Sequence, residues 1–128
     1  MAGYVGKIEE ITESNANFRR VLFTGKNMQL VVMSLKPKEE IGSETHQSVD
    51  QFFRFEEGNG EVIIDGQKFV VSGGFAAVVP AGSEHNVINT SETYDLKLYT
   101  IYSPPQHPDG TIHKTLQEAQ AAEQHKLG

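Results

Sequence analysis

The 128-residue chain contains no cysteine. Disulfides, thiolate nucleophiles and cysteine-held zinc are therefore excluded. A cysteine-free chain is at home in a reducing compartment, and a cytoplasmic location is the default expectation. No apolar run approaches the roughly 20 residues that span a bilayer. Met1 to Glu10 lacks the basic-then-apolar layout of a signal peptide. No membrane partner is expected. Basic blocks are missing as well: "FRR" and "KPK" are the densest clusters in a chain with 17 acids, 11 bases and a net charge of −6. A nucleic-acid binder would carry a basic stripe, so a nucleic-acid partner is not expected. Internal repeats and low-complexity linkers are absent too.

What is present is a strand pattern. Hydrophobic residues make up 38% of the chain and charged ones 22%, the balance of a globular domain that can close one core. Side-chain character alternates with a period of two for most of the length. Strands are expected at 18–23, 28–35, 44–46, 51–56, 60–64, 67–71, 75–79, 85–89 and 95–102. Turn chemistry separates them. Asp65-Gly66 between two apolar runs is a strong hairpin signal, and "SGG", "PAG" and "TGKN" supply positive φ or a fixed proline φ. Many short strands with closely spaced turns give an all-β barrel or sandwich. Residues 30–35, "LVVMSL", are apolar at successive positions, as in a strand covered on both faces. A homodimer through sheet faces follows as an expectation.

The layout reads as one domain in three parts. Residues 1–26 form an N-terminal strand region, 27–103 the barrel, and 104–128 a proline-rich tail with a short helix. Thr115 followed by Glu118 makes a capping box for that helix.

Two segments carry residues with useful chemistry. In "GGFAAVVPAGSEHNVINT", residues 73–90, His85 opens a strand just past a Pro-Ala-Gly turn. Alone it reads either as a buried structural imidazole bonded to a carbonyl or as a ligand. In "EIGSETHQSVDQFFRFEEGNG", residues 40–60, Glu44 and His46 stand at i and i+2. On a strand these share one face with Cα atoms about 6.6 Å apart, so one ion can be reached by both. Gln51 heads the next strand, with Phe53 and Phe55 on its face. A carboxylate, an amide oxygen and two imidazoles suit divalent Zn, Fe, Ni, Co or Mn. Alone, Glu44 and His46 read equally as solvated loop residues and Gln51 as a strand-edge polar.

Taken together, the two segments resemble the cupin superfamily. Its second motif, G-x5-P-x-G-x2-H-x3-N, is matched at every fixed position by Gly74, Pro80, Gly82, His85 and Asn89. Its first, G-x5-H-x-H-x3,4-E-x6-G, is matched in part. His46 falls on the second histidine and Gly58 on the last glycine. Glu44 stands at the first histidine, Gln51 at the glutamate and Lys38 at the opening glycine. The resemblance spans about residues 27–102. It implies a double-stranded β-helix (jelly-roll) barrel with a short C-terminal helix after it, and a divalent metal held by Glu44, His46, Gln51 and His85. Two His, one Glu and one Gln is also the ligand composition of zinc-dependent mannose-6-phosphate isomerase, itself a cupin.

The implied function is a metal-binding cupin that acts on or binds a small oxygenated molecule in the barrel mouth. A sugar-phosphate isomerase and a non-catalytic binding or association module are the alternatives. Isomerisation of a sugar phosphate needs a phosphate grip, for which Lys97, Lys114 and Arg54 are scattered candidates. Phe53, Tyr99 and Tyr102 are expected pocket residues, because a buried tyrosine hydroxyl needs a polar partner. Arg54, out of phase with Gln51, should point away from the site. His107 and His113 sit in a tail that either folds over the mouth or stays in solvent, and His125 is placed in solvent.

Overall fold

The computed structural model describes residues 2–127, with side chains through Gln124, so His125 lies outside the described side chains. The elements run α1 (Ile8–Ser14), β1 (Arg19–Thr24), β2 (Gln29–Leu35), β3 (Glu44–Thr45), β4 (Asp50–Glu57), β5 (Asn59–Ile64), β6 (Gln67–Ser72), β7 (Ala76–Val79), β8 (Glu84–Asn89), β9 (Leu96–Ser103), β10 (Ile112–His113) and α2 (Leu116–Leu127). The strands form two antiparallel sheets, ordered β10-β1-β2-β9-β4-β7 and β3-β8-β5-β6. This is a double-stranded β-helix, all-β apart from its two helices.

The register sorts the interior into layers. Across β2, β9 and β4, Met33 and Phe55 flank Leu98, Val31 and Phe53 flank Thr100, and Gln29 and Gln51 flank Tyr102. On the facing sheet Val62 pairs with Val87, and His85 pairs with both Ile64 and Glu44. Because inward residues recur every second position, the apolar layers form the core, which includes Met33, Leu35, Phe53, Phe55, Val62, Val87, Leu96 and Leu98. Polar side chains collect at one end. Gln29, Gln51, His85 and Thr100 are all buried there. That end is the barrel mouth.

Each strand expected from the sequence lies within one residue of an observed one. The turns explain their sharpness. Asp65 and Gly66 both take positive φ, 48° and 82°, as a two-residue hairpin of matching twist requires. Gly58 has φ 100°, and a Cβ there would meet the Asp95 carbonyl oxygen at 2.5 Å. Only glycine fits that crossing.

The N-terminal region differs from the expectation of strands alone. Residues 8–14 form α1, with Glu9 and Glu10 in its first turn, where they favour the helix dipole. The helix packs over the outer face of β2, β9 and β4. Val32 and Ser34, which face outward, are buried by α1 and by the segment after it, where Ser34 N–H donates to Asn17 O (3.1 Å). The run 30–35 is thus covered by the chain itself, and it gives no reason for a dimer through this face. Arg54 also faces outward, against Glu56 at 2.9 Å.

The tail does not hang free. Ile112 and His113 add β10 to the edge of β1. Gln29, fully buried, donates to His107 O (2.7 Å) and accepts from the Gln106 and His107 N–H groups (3.1 and 3.0 Å). At the start of α2, Thr115 Oγ1 accepts from the Glu118 N–H (3.1 Å), while the Glu118 carboxylate reaches one residue further back, to the Lys114 N–H.

Candidate metal centre

The Pro-Ala-Gly turn ties the two chemistry-bearing segments together. Gly82 N–H donates to His46 O (2.8 Å), and Ala81 N–H donates to the Asp50 carboxylate (2.9 Å). β3 pairs with β8 so that Glu44 stands opposite His85. Asn89, at the far end of β8, instead holds backbone: its amide donates to the Leu35, Lys36 and Tyr94 carbonyls.

At the mouth the four expected donors come as two pairs. Glu44 Oε2 lies 3.2 Å from His46 Nε2, and Gln51 Oε1 lies 3.2 Å from His85 Nε2. The two imidazole centroids are 5.5 Å apart. Among the described residues, no choice of ligand atoms puts Glu44, His46 and His85 all within 4.8 Å of one another.

The hydrogen bonds fix what the second pair offers. The Thr100 hydroxyl donates to Phe52 O (2.8 Å), so it can only accept from the Gln51 amide N–H (3.0 Å). That turns Gln51 Oε1 toward His85. The Ser83 carbonyl can only accept, so His85 Nδ1 carries the proton between them (3.1 Å). In the neutral ring, Nε2 is then a lone pair facing another lone pair in a buried place. A cation between them, or a proton on Nε2, resolves this. Two ligands 3.2 Å apart subtend about 100° at an ion with bonds of about 2.0–2.1 Å. The Glu44–His46 pair has the same spacing. Each pair taken alone has the spacing of two ligands on one ion, and the two pairs must move closer together before one ion reaches both.

Burial works to raise the Glu44 carboxyl. The hydrogen bond and charge of His46, helped by Arg19 and His85, outweigh it and hold the group below the usual carboxylate range. Burial pushes the Tyr102 hydroxyl up to about 12, despite Arg19 nearby and hydrogen bonding from Gln51 and Arg19. At neutral pH the site presents a carboxylate and a protonated phenol.

A cavity of about 460 Å³ opens beside the first pair. Glu44, His46 and Arg19 line it on the barrel side, and Gln106, His107 and Gln120 on the tail side. His85 and Gln51 lie deeper. None of the three expected pocket aromatics forms its wall. Phe53 is in the core, stacked on Phe55. Tyr99 is an odd number of positions from Tyr102 on β9, so it faces outward, against Phe52. Tyr102 sits beneath the wall, its hydroxyl 3.3 Å from His107 Nε2. Lys97, facing outward, donates to Asn15 O (2.6 Å), so it is no phosphate grip.

Sequence reasoning missed Arg19. It is 7% exposed, its guanidinium lies 5.3 Å over the Phe18 ring, and Nη1 donates to His113 Nδ1 at 3.3 Å. The signal was present in "FRR": adjacent arginines on a strand point to opposite faces, so one of them must face inward.

Comparison with known proteins agrees with this architecture. Residues 31–102 match the family described as Cupin domain. The chain belongs to the cupin family. It is 48% identical over 126 residues to the uncharacterized protein YrkC of Bacillus subtilis (strain 168), covering 94% of this chain and 67% of that one. It is 47% identical over 113 residues to the uncharacterized protein L612 of Acanthamoeba polyphaga mimivirus, covering 85% and 70%. The crystal structure of BH2720 from Bacillus halodurans superposes on this cupin with a TM-score of 0.91 at 44% identity, covering 94% and 95%.

Proposed function

We propose that this cupin binds one divalent metal ion through Glu44, His46, Gln51 and His85, and acts on or holds a small oxygenated molecule in the adjoining cavity. The observation that carries this is the facing pair of acceptors, His85 Nε2 and Gln51 Oε1, buried and fixed by Ser83 and Thr100. Zn, Fe, Ni, Co and Mn all suit the donors. When bound, the ion would supply Lewis acidity to a ligand oxygen. The chain's own residues do the rest. Ser83 and Thr100 orient the donors. Tyr102 keeps a proton at its hydroxyl, and the tail screens the mouth from water.

A cytoplasmic location is proposed with this reading. Among the described residues, no helix is long and apolar enough to cross a membrane. Isomerisation of a sugar phosphate is less well supported, because Lys97 and Arg54 face outward and Lys114 is exposed.

The test is elemental analysis of protein purified without chelators, beside His85→Ala. About one divalent ion per chain is expected in the wild type, with at least a tenfold loss of occupancy in the variant. Equal metal in both would reject the site.

A further inference from the structure

The cavity wall carries one positive charge that, among the described residues, has no carboxylate in contact with it, although it acts on Glu44 across the cavity. Arg19 is more than nine-tenths buried, and its Nε has no hydrogen-bond partner. Among the described residues, no carboxylate oxygen lies within 4 Å of its guanidinium. A guanidinium stays charged at any accessible pH, and a buried charge is costly unless paired. Phe18 covers one ring face, and His113 and the Tyr102 hydroxyl each accept from the guanidinium, but none of them brings negative charge. Arg19 borders the cavity that Glu44 and His46 also line.

We propose that Arg19 is a carboxylate-binding residue, and that the molecule this cavity accepts is a small monocarboxylic acid with a second oxygen beside its carboxylate. Two N–H donors of a guanidinium match the two oxygens of a carboxylate. A 2-hydroxy or 2-oxo acid gripped there would turn its other oxygen toward Glu44 and His46. The charges lining the cavity disfavour a dianion more than a monoanion. Arg19 offers one positive charge, while Glu44 and Glu123 also border the cavity and repel a phosphate dianion. This proposal deepens the functional reading above and shares its cavity, but the Arg19 contact does not need the metal.

The test measures glycolate and pyruvate binding by calorimetry, with glycolamide and inorganic phosphate as controls. Wild type, Arg19→Lys, Arg19→Met and His85→Ala are compared, with metal content read on the same samples. The wild type should bind both acids, and bind glycolamide and phosphate at least tenfold more weakly. Arg19→Met should lose acid binding at least tenfold, with its metal content unchanged. Arg19→Lys, which keeps the charge without the fork, should fall between. Undiminished acid binding in Arg19→Met would overturn the proposal. So would phosphate bound as tightly as glycolate, or a wild type that binds neither acid. Arg19-dependent acid binding in a chain that holds no metal would sink the metal reading alone. Normal metal with Arg19-independent binding would sink this one alone.

Discussion

At the scale of single residues, the second motif was legible because each fixed position answers a backbone demand. Gly82 supplies the turn that holds His46, His85 opens the strand, and Asn89 caps three carbonyls. Arg19 was not legible as a cavity residue, since its partner His113 comes from a strand 94 positions away. That contact yields a prediction. Burial and the Arg19 charge hold the His113 imidazole below its ordinary value, and Glu118 offsets this in part. The neutral ring accepts from Arg19, and the unfolded chain binds the proton more readily. The stabilisation is therefore complete above the unfolded value near 6.5 and is lost as pH falls through the lower folded value. In urea unfolding, His113→Gln should cost stability at pH 7.5, and the gap to wild type should narrow by pH 5. A gap that widens toward pH 5 would show that the ring is protonated where it meets Arg19.

At the scale of elements, the nine expected strands were legible because alternation, proline and glycine agree along them. α1 was not. Its seven residues offer only Ile8, Ile11 and Thr12 at helical spacing, and its cap, Lys7, makes no side-chain bond. β10 has two residues and no period to read. The tail's placement was equally hidden, because it depends on Gln29, an amide inside an apolar strand. Gln29→Leu would leave the Gln106 and His107 N–H groups and the His107 carbonyl without their partner. Each such group costs about 1–3 kcal/mol when it stays buried. The variant should lose at least that much stability and become open to protease cleavage within residues 104–113. Wild-type stability with an uncut tail would show that other contacts hold this segment.

At the scale of the whole molecule, the fold places chemistry by register. Two sheets paired with alternating side chains send apolar residues to the core and polar ones to one end, so segments 44–51 and 85–89 meet without a loop having to find its partner. The sequence carried that convergence through its motif spacing. It did not carry the cavity, whose far wall is built by a tail with no strand or helix pattern before residue 112. The carboxylates of Glu9, Glu13 and Glu56 also converge, but on the outer face and largely in solvent, with Arg54 against Glu56. The proposed function requires both donor pairs at the mouth to close on one ion. X-ray absorption on protein loaded with one equivalent of zinc tests it most directly. A nitrogen/oxygen shell with outer scattering from two imidazoles is expected, falling to one in either His46→Ala or His85→Ala. A spectrum without imidazole scattering, or one that neither substitution alters, would contradict it.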